Sequence, residues 1–105
     1  MILLTEIEAD GGWFPIGRLD PGDPQGSVSD NSGAQRQVIC FRLDGDSAVI
    51  ERSSAGVDIE EGPARRILSR GFECLARLSP GEDYERRIQT DRMAAPVPMR
   101  WRLLP

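Results

Sequence analysis

The stretch RQVICFRLDGDSAVIER, Arg36 to Arg52, decides how the rest of the chain is read. An apolar run, Val38-Ile39-Cys40-Phe41, is followed by Asp44-Gly45-Asp46 and then by a second apolar run, Ala48-Val49-Ile50. Two short runs rich in β-branched residues, joined by an Asp-Gly turn, predict a β-hairpin. The first run is apolar at successive positions, so both faces of that strand are expected to be covered. The segment Leu43–Val49 also resembles the opening of a calcium loop, but Ala48 stands where the third oxygen ligand is required, and the hairpin reading takes precedence.

Further strands follow on both sides. Ile2–Ala9 ends at Gly11-Gly12, and Trp13–Leu19 contains Pro15, which confines that strand to an edge or a bulge. Near the other end, Val97, Met99, Trp101 and Leu103 alternate with Arg100 and Arg102. A strand with period two turns Trp101 inward and the two arginines outward. Phe72–Leu78 and the residues around Tyr84 and Ile88 flank Pro80-Gly81, a type II turn pair, and read as a second hairpin in preference to a longer helix. One short helix is expected near residues 63–70: Glu60 and Glu61 precede it, Pro63 suits its first turn and Gly71 its C-terminal cap. The expected fold is mainly β, a small β-sandwich or barrel of about six to seven strands in a single domain spanning 1–105.

Asp20–Gln35 reads differently. Of its sixteen residues only Val28 and Ala34 are apolar, and Asp, Asn, Gly, Pro and Ser make up most of the rest. Such a composition buries too little to order itself. The segment is expected to be a flexible loop or arm whose Asp20, Asp23, Gln25, Ser29, Asp30 and Asn31 meet a partner.

The residue types that are missing restrict the chemistry. There is no His, and all thirteen basic residues are Arg. Histidine-dependent triads, Schiff bases and the P-loop lysine are therefore unavailable. With Cys40 and Cys74 the sole thiols, an ordinary zinc site cannot be completed, and both are expected to pack as buried hydrophobes. Asp58, Glu60 and Glu61 form the densest acidic group, in the place where negative charge favours a following helix. No catalytic residue, cofactor or metal is expected. The opening MILLTEIEAD lacks the form of a signal peptide and no apolar run is long enough to span a bilayer, so the expectation is a cytoplasmic protein, or one assembled into a particle made there.

Charge is divided unevenly. Residues 1–62 carry twelve acidic and four basic side chains, residues 63–105 five acidic and nine basic, for a net charge of −4. Either the two halves pair within the fold, or the surface is dipolar and orients a partner. These features point to a non-enzymatic protein–protein interaction or assembly subunit. It would bind other subunits or copies of itself, as a virion- or appendage-like component or an acidic inhibitor. The alternative is a small nucleic-acid-binding β-barrel with a basic patch at Arg65, Arg66, Arg86, Arg87, Arg100 and Arg102. Nucleic acid is disfavoured by the acidic isoelectric point near 4.8.

Overall fold

The computed structural model describes residues 1–33, 36–53 and 72–105. They form eight strands: β1 (Ile2–Ala9), β2 (Gly12–Leu19), β3 (Gln25–Asp30), β4 (Gln37–Asp44), β5 (Ser47–Ser53), β6 (Phe72–Leu78), β7 (Asp83–Ile88) and β8 (Val97–Leu104). The strands make two four-stranded antiparallel sheets, ordered β2-β1-β8-β7 and β3-β4-β5-β6. The molecule is a slab 20 Å in its thinnest dimension, as two stacked sheets require. The β-rich sandwich expected from the sequence is what forms. The expected helix near residues 63–70 falls outside the described residues, and no helix occurs within them.

The hairpin read from Arg36–Arg52 is β4–β5, in register from Ile39 opposite Arg52 to Asp44 opposite Ser47. Gly45 takes φ 60° at the first central position of its two-residue turn, a conformation glycine adopts without a Cβ penalty. The β1–β2 turn uses Asp10 and Gly11, both at positive φ, as a type I′ hairpin turn demands.

Alternation builds the core. On β8, Met99, Trp101 and Leu103 are fully buried, while Arg100 and Arg102 lie on the opposite face. Leu3 and Ile88 join them from the same sheet, and Ile39, Phe41, Ala48, Ile50 and Leu78 meet them from the other. Trp101 stands between Phe41 of the facing sheet, ring centroids 5.7 Å apart, and Tyr84 on the neighbouring strand, 6.0 Å away. The apolar run of β4 is explained as expected at one point: Val38 and Ile39 are both buried although they point to opposite faces.

Three expectations need correction. The segment Asp20–Gln35 is not devoid of secondary structure, because Gln25–Asp30 is an edge strand paired with β4 over six positions. Tertiary pairing supplies there what local propensity lacks. Second, the residues flanking Pro80-Gly81 are strands, but they are not a hairpin. Gly81 has φ 90° and Glu82 donates its amide to Ser79 O at 2.9 Å, so the turn forms; yet β6 belongs to one sheet and β7 to the other. The turn carries the chain between layers. Third, Cys74 is exposed, on a β6 position that faces away from the core, and Cys40 is half-buried.

Candidate interaction surface

The side of the sandwich where β2 and β3 run is built by two irregularities. Opposite Thr5 and Glu6 the β1–β2 register slips: Thr5 pairs with Gly17 and Glu6 with Pro15, which leaves Ile16 as the extra residue of a bulge. Pro15 therefore sits on an edge strand and beside a bulge, the two places a strand accepts it. The bulge turns Ile16 outward. Ile16 is 49% exposed and Phe14 50%, the two large apolar side chains left open to solvent among the described residues.

The chain then crosses from one sheet to the other at Asp20–Pro24. The Asp20 carboxylate accepts the amides of Gly22 at 2.8 Å and Asp23 at 3.0 Å, and Asp20 and Asp23 bridge backbone to backbone. This is the local hydrogen bonding by which Asp stabilises turns. Between β2 and β3 lies an open cleft of about 240 Å³, lined by Thr5, Ile16, Gly17, Gly26, Val28 and Phe41 among others. Gly26 is required there: a Cβ would come within 2.6 Å of the Phe41 ring. The buried Thr5 hydroxyl borders the cleft and has no hydrogen-bond partner among the described residues.

The six arm residues named from sequence have separate roles. Asp20 and Asp23 make the turn. Gln25 and Ser29 sit on the outer face of β3, where the Ser29 hydroxyl accepts Arg36 Nη2 at 3.0 Å. Asn31 donates its side-chain amide to Asp91 and its backbone amide to Gln89 O at 2.8 Å. Asp30 is buried at 3% exposure and accepts the amides of Ser32 at 2.9 Å and Gln89 at 3.1 Å. That carboxylate ties the end of β3 to the segment after β7 and is not presented to a partner.

Of the arginines named from sequence, the four that are described do not all lie on one face: Arg87 shares the outer face with Arg100 and Arg102, and Arg86 points the other way. Arg65 and Arg66 lie outside the described residues. Arg86 and Arg87 are adjacent on β7 and so point to opposite faces. Arg86 reaches back toward the Tyr84 hydroxyl at 3.4 Å, and Arg87 toward Pro96 O at 3.3 Å. Arg100 and Arg102 do share the outer face of β8, but the buried Glu6 carboxylate accepts both, from Arg100 Nη2 at 2.9 Å and Arg102 Nε at 2.7 Å. Trp13 packs over the Arg100 guanidinium, 4.2 Å from ring centroid to carbon. Ion pairs Arg36–Asp91, Arg42–Glu51, Arg52–Glu73 and Arg77–Asp44 complete the pattern. Asp44 with Arg77, and Glu6 with Arg100 and Arg102, pair acids of the first part of the chain with bases of the second, so part of the charge division is taken up within the fold; Arg36–Asp91 and Arg52–Glu73 cross between the parts in the opposite sense.

A second depression, of about 220 Å³, opens on the outer face of β3, β4 and β5, with Gln25, Ser27, Cys40, Arg42 and Glu51 in its lining. Burial, and then the Glu51 carboxylate, push the Cys40 thiol up to about 11. Cys74 is exposed. Because the thiolate is the reactive form, a maleimide or aromatic disulfide reagent at pH 8 should modify Cys74 quickly and Cys40 about 100-fold more slowly, with both reacting together in denaturant. Equal rates for the two thiols in the folded protein would contradict the burial of Cys40. Among the described residues no three His, Cys, Asp or Glu side chains cluster as metal ligands would, and no helix is long and apolar enough to cross a membrane.

Comparison with known proteins yields no match: no family model fits the chain, and neither a curated protein nor a solved structure does.

Proposed function

We propose that the protein is a non-enzymatic interaction subunit that docks other protein chains, copies of itself included, through the side of the sandwich formed by β2 and β3. The observation that carries this reading is the pair of half-exposed side chains, Phe14 and Ile16, on an edge strand bordering an open cleft. Large apolar groups placed together beside a concave surface are characteristic of protein-binding patches. The residue types support it as well, since a chain without His or Lys has few routes to catalysis.

The reading suits a small structural component of a larger particle or appendage. An acidic inhibitor imitating nucleic acid is the less favoured form of this reading, since Glu6, Asp44, Glu51, Glu73 and Asp91 are each paired with arginine. The same pairing weighs against a phosphate-binding surface at Arg100 and Arg102. The test is affinity capture from the source organism with the wild-type chain and with a Phe14→Ser/Ile16→Ser double variant, the retained proteins being identified by mass. Both side chains are half in solvent, so the variant should fold with its melting temperature nearly unchanged. A defined partner held by the wild type and lost by the variant is the expected outcome; the same proteins retained by both would refute this surface.

A further inference from the structure

A sandwich of two open sheets has four edge strands, here, among the described residues, β2, β7, β3 and β6. An edge offers a row of unpaired amides and carbonyls, and folded proteins block such rows with proline, bulges or charge. Three of these edges are blocked. β2 has Pro15 and the Ile16 bulge. β7 carries Asp83, Glu85, Arg86 and Arg87 among its six residues. β6 carries Glu73 and Arg77 and a register shift against β5. β3, with the sequence QGSVSD, has no proline and no bulge, and its one charged residue, Asp30, is buried.

The direction of its free backbone groups follows from one hydrogen bond. Leu43 donates its amide to Pro24 O at 2.9 Å, one position before Gln25 pairs with Arg42. Hydrogen-bonded and non-hydrogen-bonded pairs alternate along an antiparallel ladder. Gly26, Val28 and Asp30 therefore bond to β4, and Gln25, Ser27 and Ser29 direct their amides and carbonyls to the open edge.

We propose that β3 pairs antiparallel with β3 of a second copy of this chain, about a two-fold axis at Ser27. The proposal rests on the interaction reading and specifies one partner for it. With Ser27 opposite its own counterpart, Gln25 faces Ser29 of the second copy and Ser29 faces Gln25. All three outward-directed positions are then matched, for about six backbone hydrogen bonds. On the outer face the meeting side chains are Gln and Ser, which bond to each other, and no like charges are opposed. On the inner face Gly26 lies opposite Val28 of the other copy. The isopropyl group extends over the glycine, toward the cleft bordered by Ile16, Gly17 and Phe41. A side chain at position 26 would clash with Phe41 and deny that approach. The strand is thus complementary to itself in hydrogen bonding, charge and volume, and the product is one continuous eight-stranded sheet.

Sedimentation equilibrium of the full chain tests this, with Ser27→Pro as the diagnostic variant. The Ser27 amide points away from the fold, so proline there removes a donor that only the second copy uses. The wild type should show a concentration-dependent dimer. Ser27→Pro should raise its dissociation constant at least about tenfold, with an unchanged circular dichroism spectrum. Should the proline variant misfold, cross-linking decides: in a Cys40→Ala/Cys74→Ala background, Ser27→Cys should give a covalent dimer with a short bis-maleimide and Glu85→Cys on β7 should not. A chain that stays monomeric at all concentrations and forms no Ser27→Cys dimer overturns the proposal, and leaves capture of a different protein by Phe14 and Ile16 as a separate question. A dimer indifferent to Ser27→Pro, or cross-linked through Glu85→Cys, overturns it as well and moves self-association to another edge.

Discussion

Replacing Trp101 with alanine should lower the unfolding free energy by about 3–5 kcal/mol, the range observed when a large aromatic is removed from a packed interior. Trp101 has no exposed surface and lies in β8, between β1 and β7 and against the facing sheet. It touches both layers, through Phe41 across the core and Tyr84 beside it, and aromatic pairs add about 0.5–1.5 kcal/mol beyond their buried area. The other large side chains of the core are held in regular strands that cannot collapse into the vacated space. Small domains are stable by only about 5–15 kcal/mol, so the variant should lose a large share of its stability. Urea denaturation followed by circular dichroism measures the effect. A loss below about 1 kcal/mol would mean that Trp101 does not occupy the centre of the core. Trp101→Phe keeps an aromatic ring against Phe41 and should recover part of the stability.

Excising Pro21–Ala34 and joining the ends with a short Gly-Ser linker should unfold the protein outright. From composition alone the same deletion would be neutral, since the segment has so little to bury. The structure reverses that expectation. The deletion removes all of β3, and with it the six-position ladder along β4 and the strand lying beside Ile39 and Phe41. It also removes Asp30, leaving the Gln89 amide without its acceptor. The larger loss is the apolar surface of Ile39 and Phe41 that β3 no longer covers. Thermal unfolding monitored at 218 nm would show either no cooperative transition or, against this expectation, one close to that of the full chain.

What was legible in the sequence was whatever a period of two could carry. Met99, Trp101 and Leu103 turn inward against Arg100 and Arg102, and the β4–β5 hairpin has turn chemistry and apolar runs that agree. The strand β3 was not legible, because QGSVSD contains a single β-branched apolar residue and its order comes from pairing with β4, not from itself. The Pro80-Gly81 turn was visible, but a tight turn has the same residues whether its strands pair or part into two sheets. As for the candidate surface, Pro15 announced an edge strand, while the bulge that exposes Ile16 depends on its pairing with β1. The spread of the arginines was partly readable, since adjacent residues such as Arg86 and Arg87 on a strand must diverge. Their neutralisation was not: Glu6 lies ninety-four positions from Arg100, and only the fold brings them together.

The pairing of β1 with β8 imposes an order on how the molecule comes into being. Leu3 stands opposite Leu103, so the first strand waits for the last before its sheet can close. While the chain is emerging from a ribosome, the apolar face of β1 and β2 has no cover until β8 and its Trp101, almost a hundred residues later, have been made. Contacts so distant along the chain make for slow folding, because the loop must be closed before any pairing rewards it. The interval is one in which unpaired strands of neighbouring nascent chains meet each other's edges, and a chaperone that held the β1–β2 ribbon would shield it until β8 arrives.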